Sequence, residues 1–588
     1  MRRSCVNRIH AVVLIPGSRR RDKASLGPGA RRGLEGIHVA TALGVEAPTK
    51  VVNLPKVVTV REDVYVRKAS GLVRTVGPSS ALFSNLVAMG IIVNFFWVVF
   101  ASAGYPNANL VDTVLIGVLI NVGVGFVYWM LSSAMPRSGG DYVFMGRIFH
   151  PSIGLATNLV FSAVFITWAG LFAYYITVYG LPMMLGSYAI AGGSSGPLTT
   201  FQSMISSSNE IFAISALILV LVILISFLPT KWIFRTTVGI FAVTAVIYVV
   251  MIGLLLFTNQ ATFASHWNAA NPANTYATIA ASGASGDTIT TSGTFLGIVY
   301  TMLSFVGYAN SSYYAGEIRG SPTRTQGLAI FGAPIIFAVL IAVLYATTYL
   351  TFGRDFIVGL STGYVSGTVA VPAFPSPLLL AAYILPSGGI SPVLAAFLSF
   401  GVVLTFFGFS LIYFIVPTRN VFAWSFDRVF PSALARVSRR GVPWVAVIGL
   451  AVFAFVSLYF SVYTTLFNYL GYSNFGFWFA VGIVCLGGAL FPLIRPKLFA
   501  QAPRIVRTRI GPVPVLTLVG LLSFAASWYV SYASSTAAFL EFSSYSYSGL
   551  MVLPAIFVVG FVLYWVSYAI QKRRGIPVDL ISKELPPD

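Results

Sequence analysis

The stretch "NLVAMGIIVNFFWVVF", Asn85 to Phe100, opens the first long apolar run of the chain. It carries one glycine, Gly90, and one asparagine, Asn94, near its middle. A plain membrane anchor has no use for a buried amide, because an amide without a partner costs about 1–3 kcal/mol in an apolar medium. A helix that breaks at a binding site has use for both residues. The surrounding sequence decides what kind of protein holds this stretch.

The chain has 588 residues, 57% hydrophobic and 9% charged, with mean hydropathy +0.84. Soluble domains carry about 25% charged residues, so most of this chain reads as lipid-embedded. Apolar runs recur between residues 80 and 570, each long enough for a hydrocarbon core of about 30 Å. They lack the short alternating segments of a membrane barrel, so the runs read as helices. The reading is an all-α integral membrane protein with twelve transmembrane helices, at 80–103, 108–134, 151–186, 210–228, 233–257, 293–316, 326–352, 391–416, 443–465, 467–494, 511–533 and 545–570. The apolar run 378–385 is too short to span and reads as part of a structured outer loop.

Basic residues orient the spans. With both termini on one side, 35 of the 36 Lys and Arg residues fall on that side, and Arg354 alone falls opposite. The loop 258–292 holds no Lys or Arg. This is the asymmetry of the positive-inside rule, and it predicts a multi-pass protein of the cell membrane with N- and C-termini in the cytoplasm. The net charge of +20 is then explained by cytoplasmic retention and anionic lipid, and no nucleic-acid partner is implied. Residues 1–68 are Arg- and Gly-rich and poor in large apolar residues, which predicts a basic disordered cytoplasmic tail. Residues 571–588 form a second cytoplasmic tail.

Enzyme chemistry finds no support. No His, Asp or Glu lies in the middle of a predicted span, and Cys5 and Cys485 form no CxxC pattern. No metal and no cofactor are implied.

Three segments between spans carry motifs. "AMPRSGGDYVFMGRIFHP", Ala134 to Pro151, puts Pro and paired Gly between the second and third spans, where they end a helix. Arg137, Asp141 and Arg147 can pair there. "LSFVGYANSSYYAGEIRGSPTRTQ", Leu303 to Gln326, places Gly307 mid-span and ends in Glu317, Arg319, Pro322 and Arg324. "PTRNVFAWSFDRVFPSALARVSRRGVPWVAV", Pro417 to Val447, interleaves Val421, Phe422, Trp424, Phe426 and Phe430 with Arg419, Asp427 and Arg428. It reads as a short amphipathic segment lying flat at the inner interface.

In this order the motifs resemble the amino acid–polyamine–organocation (APC) permease superfamily. Pro136 to Pro151 follows its "PRSGG-x-Y" pattern; Phe305–Val306–Gly307 with Glu317, Pro322 and Arg324 follows the break and tail of its sixth helix. Thr418–Arg419, Asp427, Pro431, Gly441, Pro443 and Ala446 follow the segment after its eighth, with Thr418 in place of Ser and Phe426 in place of Arg. The likeness covers roughly residues 70 to 495. It implies two five-helix repeats of inverted topology, 69–257 and 293–494, separated by an extracellular loop, 258–292. Two further helices follow within 495–570. It also implies discontinuous first and sixth helices that face each other and bind substrate. The implied function is secondary transport of an amino acid or related small organic solute by alternating access. The implied partners are that solute, membrane lipid and a coupling ion, proton or sodium. The alternatives are a transport-inactive sensor on the same fold and a transporter of another solute; oligomeric state is open.

The likeness also marks a departure. In the family the first helix is glycine-rich, whereas here only Gly90 remains, and Ile92, Val93, Phe96 and Val98 stand at the other glycine positions. Either the helix still breaks around Gly90–Asn94, with Asn94 serving backbone or substrate, or it is continuous and Asn94 bonds a neighbouring helix. The expected substrate contacts are Gly90, Ile91, Asn94, Phe305, Val306, Gly307 and Tyr308. The expected inner-face gate is Arg137, Asp141, Arg147, Glu317, Arg324, Arg419 and Asp427. Sodium-coupled relatives use hydroxyls of the eighth helix, for which Ser399, Thr405 and Ser410 are the candidates here. No acidic residue flanks Gly90 or Gly307, which argues against dications, and a neutral amino acid is the expected substrate.

Overall fold

Gly90 divides the first apolar run in two. In the computed structural model of the chain, helix α1 spans Pro78–Met89 and α2 spans Val93–Gly104. Next come α3 (Leu110–Ala134), α4 (Asp141–Ile148) and α5 (Pro151–Tyr175). The last runs through a π-turn, Ile176–Gly180, into α6 (Leu181–Ile190). Helices α7 (Gly196–Met204), α8 (Ser208–Ser226), α9 (Thr230–Leu256), α10 (Gln260–Ala270), α11 (Tyr276–Ala284) and α12 (Thr291–Ser304) follow. After α12 the chain is non-helical apart from short 3-10 turns at Asn310–Ser312 and Ala315–Glu317. Helix α13 (Pro322–Gln326) passes through a second π-turn, Gly327–Gly332, into α14 (Ala333–Phe352). The remaining helices are α15 (Arg354–Val365), α16 (Pro377–Ile384), α17 (Ser391–Phe426), α18 (Trp444–Tyr463), α19 (Leu470–Ile494), α20 (Pro496–Gln501), α21 (Val515–Thr536) and α22 (Tyr547–Arg573). The structure describes residues 74–284, 288–439, 441–464, 470–536 and 547–576. The tail expected at 1–68 and residues 577–588 of the tail expected at 571–588 lie outside them.

Eleven helices among the described residues are long and apolar enough to cross a membrane, and they match eleven of the twelve expected spans. The exception is 293–316. There α12 is only 14 residues long, and the chain leaves the helix at Phe305. Burial ranks the helices. The first run is 94% buried inside the protein, whereas Ser208–Ser226 is 22% buried. The interrupted run is therefore the central element, and α8 is peripheral. Exposed side chains such as Leu217, Leu224, Leu350 and Leu522 form the apolar outer surface that lipid would cover.

One expectation is corrected. The eighth span was expected to end at 416, with an amphipathic segment lying flat beyond it. Instead α17 runs unbroken for 36 residues to Phe426, with Pro417 inside. Proline there removes one helical hydrogen bond. Arg419, Phe422 and Trp424 are all buried against protein, so packing continues the helix past it. The short run near 378–385 is α16, whose residues Pro377–Ala382 are buried. With α10, α11 and α15 it forms a cap over one end of the bundle. Arg354, at the start of α15, donates to the Pro106 carbonyl just beyond α2. The opposite end holds α4, the 3-10 turn Ala315–Glu317 and the end of α17.

Candidate functional site

The break in the first run is built from one left-handed residue. Gly90 has φ 70° and ψ 80°, a conformation that costs an L-residue about 1–2 kcal/mol. Its N–H closes α1 on Leu86 at 3.0 Å. Ile92, by contrast, has φ −69° and ψ −31°, ordinary helical geometry for any residue. A single glycine therefore suffices, and the β-branched residues that follow sit in α2 without strain. A Cβ on Gly90 would lie 2.2 Å from the Phe409 ring and 2.9 Å from Thr405.

Asn94 supplies the donor that the break needs. Its amide donates to the Gly90 carbonyl at 2.9 Å and to the Ile91 carbonyl at 3.4 Å, and its oxygen accepts from Tyr345 at 3.4 Å. Of the two readings, the broken helix is the one found. No acceptor in the described residues takes the N–H groups of Ile91, Ile92 and Val93, so the start of α2 presents free donors.

The second break faces the first. Gly307 has φ 109°, and a Cβ there would lie 2.7 Å from the Ala88 side chain and 2.8 Å from its carbonyl. Phe305, Val306 and Tyr308 are buried beside it. Asn85, in α1, donates to the Tyr308 carbonyl and to the Ala329 carbonyl (2.6 Å). Its oxygen accepts from the Ser311 N–H at 3.1 Å. Tyr413 of α17 donates to the Ala88 carbonyl at 2.7 Å. The expected substrate contacts thus converge where the two breaks meet. Aromatic rings fill the space on either side. Phe96 stacks on Phe374 at 4.2 Å, with Phe406 and Tyr179 edge-on, towards the cap of α15 and α16. Phe165 stacks on Tyr413 at 5.1 Å, on the other side.

The residues expected at the inner-face gate separate into three groups. Glu317 and Arg419 form a buried ion pair at 3.0 Å. Thr230, at the start of α9, donates to Glu317 at 2.8 Å, and Arg419 also bonds Thr418 at 3.1 Å. Beside them Val76 pairs with Ile318 in a parallel bridge, and the Arg319 N–H reaches the Val76 carbonyl at 2.8 Å. The second group is Asp427, with Arg147 at 3.8 Å and the Tyr142 hydroxyl at 3.1 Å.

Asp141 stands apart. It is fully buried and accepts from Asn158 at 3.1 Å, and its Oδ1 has no hydrogen-bond partner. Burial pushes its carboxyl up from the usual range to about 7, against the opposing hydrogen bonds from Tyr313 and Asn158. Arg324 is exposed and joins neither ion pair; Arg137 is half-buried. The three hydroxyls considered for an ion are not brought to one point. Ser399 bonds Ser187 at 2.6 Å, Thr405 bonds the Gly401 carbonyl of its own helix, and Ser410 bonds the Ala169 carbonyl of α5.

The sequence reading passed over Asn85, Tyr413, Thr230 and Asn158. Each is a polar group inside or at the end of an apolar run, and that demand for a partner was the available signal.

A family model described as "Amino acid permease" matches residues 79–524, a range that contains both breaks together with Asp141, Arg147, Glu317, Arg419 and Asp427. Among curated proteins, the chain is 24% identical over 254 residues to "Uncharacterized protein 399" of Sulfolobus islandicus rod-shaped virus 1. That match covers 43% of this chain and 51% of the relative. The chain thus spans about half the length of the curated relative it matches.

Proposed function

The chain belongs to the amino acid permease family, and from that premise we propose that it is a secondary transporter carrying a neutral amino acid across the cytoplasmic membrane by alternating access. The observation that carries this reading is the meeting of the two breaks at Gly90 and Gly307, with the free N–H groups of Ile91, Ile92 and Val93 at the start of α2. A half-helix N-terminus carries partial positive charge and unpaired donors, which favour a carboxylate. The aromatic surroundings favour a side chain of apolar character, and neither Asn85–Phe100 nor Leu303–Gly316 holds an Asp or Glu to pair with a cationic side chain.

In this reading α12 and the unwound chain after it make the sixth of twelve crossings, and the two five-helix halves rock about the facing breaks. The end bearing Glu317, Arg419, Arg147 and Asp427 faces the cytoplasm, as the distribution of basic residues supports. The Glu317–Arg419 pair and the Val76–Ile318 bridge close that end. Since Ser399, Thr405 and Ser410 are engaged with three different partners, a proton is favoured over sodium as the coupling ion.

The test is uptake of a panel of amino acids, amines and organic acids into proteoliposomes holding the full chain, with and without pH and sodium gradients. Saturable uptake of a neutral amino acid, lost in Gly307→Leu, is expected. Binding without flux would replace transport with sensing on the same scaffold.

A further inference from the structure

We propose that Asp141 is a proton-binding site that governs the cytoplasmic gate: the closed gate holds it as the neutral acid, and opening to the cytoplasm releases its proton. The inference rests on the transporter reading for the direction of the gate, and on four observations for the site itself.

The first is burial that hydrogen bonds from Tyr313 and Asn158 compensate only in part. Asp141 has no exposed surface, one of its oxygens has no partner, and no ion pair reaches it among the described residues. An ionised carboxylate in such a place is costly, and protonation relieves it. The second is the set of groups around it. Tyr313 faces it from the chain after the Gly307 break, Tyr128 from α3, and Asn158 from α5. Cys485 of α19 lies beyond Tyr128. The nearby Arg147, on the same helix, is turned to Asp427 of α17, which Tyr142 also bonds. No group in this set is a cation directed at Asp141.

The third is the connection to moving parts. Asp141 begins α4 directly after Gly139 and Gly140, and the Gly139 N–H bonds the Tyr313 carbonyl at 3.0 Å. The Gly316 N–H bonds Ser138 at 3.2 Å, one residue before the Glu317 of the gate pair. Asn158, which donates to Asp141, accepts from Trp424 of α17 at 2.7 Å, five residues beyond Arg419. The carboxyl therefore sits between both partners of the gate. The fourth is its position near the basic end of the bundle, where opening would hydrate it.

The sign of the coupling follows from linkage. The buried carboxyl holds its proton up to about pH 7, whereas a hydrated aspartate ionises near pH 4. Between those values the open state binds fewer protons than the closed one. Closure is then favoured in acid, and the preference weakens by up to about tenfold per pH unit as pH rises from 4 to 7. Above pH 7 both states are ionised and the dependence flattens.

The experiment uses the full chain in lipid nanodiscs and has two arms. Infrared titration reads the protonated carboxyl directly. A carboxylic C=O band is expected whose midpoint lies well above the ordinary aspartate range, absent in Asp141→Asn and shifted upward in pH in Asn158→Ala, which removes a donor to the ionised form. In the second arm, Ser138→Cys in a background free of Cys5 and Cys485 reports gate opening through its rate of thiol modification, normalised to a free thiol. The rate should rise from pH 5 to 7, level off above, and lose this pH dependence with Asp141→Asn. A carboxyl band unchanged in Asp141→Asn overturns the proton site. An identical pH profile with and without Asp141 overturns its hold on the gate. Should Asp141→Asn not fold, Asn158→Ala carries the same decision: an unmoved midpoint refutes the site. Neither arm uses an amino acid, so loss of the substrate assignment would leave the outcome readable.

Discussion

At the scale of single residues, the break depends on Gly90 and on the amides that serve the exposed carbonyls. Gly90→Ala adds a Cβ 2.2 Å from Phe409 and forces a left-handed alanine, at about 1–2 kcal/mol for the backbone alone. A lower unfolding temperature and lost uptake are expected. The control is Gly239→Ala in α9, where a Cβ meets nothing within 4 Å; helix propensity there makes alanine neutral or stabilising by up to about 1 kcal/mol. Equal effects of the two variants would remove the special role of Gly90. Asn85→Ala should cost more than Asn94→Ala. Asn85 bonds groups 223 to 244 residues away, whereas Asn94 mainly bonds its own turn. Gly90 and Asn94 were legible because their partners lie within four residues. Asn85 opens the same stretch and was passed over, since nothing near it in sequence reveals that Tyr308, Ser311 and Ala329 stand opposite.

At the scale of elements, the Glu317–Arg419 pair ties the end of the unwound chain after α12 to α17, with Thr230 bringing in the start of α9. Breaking a buried pair from one side leaves an uncompensated charge and costs about 3–5 kcal/mol. Arg419→Met alone should therefore destabilise strongly, and adding Glu317→Gln should restore much of the loss. A thermal or denaturant double-mutant cycle measures this, and purely additive effects would show that the two do not act as a pair. Sequence patterning marked Glu317 and Arg419 as inner-face residues. It did not show that they are partners, because Arg137, Arg147 and Arg324 were expected at the same face, and Arg324 proves to be exposed. Nor could hydropathy reveal that α17 continues past Pro417. Charged residues there suggested an interface, and only tertiary burial of Arg419 and Trp424 accounts for the extension.

At the scale of the molecule, span positions and the grouping of basic residues were readable, since lipid imposes a length and a charge bias on every crossing. The closure of the site was not, because it is made by rings from remote segments. Phe96 of α2 stacks on Phe374, which precedes α16. A stacked pair contributes about 0.5–1.5 kcal/mol, so Phe374→Ala should shift the population open to that side by about two- to tenfold. Faster leak of substrate from preloaded vesicles is the expected readout; an unchanged leak would mean the rings only pack. The uninterrupted α17 has a mechanical consequence as well. Thr405 lies against the Gly90 break and Arg419 pairs with Glu317, 14 residues apart on one rod, or about 21 Å at 1.5 Å per residue. A swing of about 10° around Thr405 would carry Arg419 by nearly 4 Å, more than the 3.0 Å that separates it from Glu317. In the proposed transport cycle the helix would act as a lever arm, with its fulcrum at one break and the Glu317 pair at its far end.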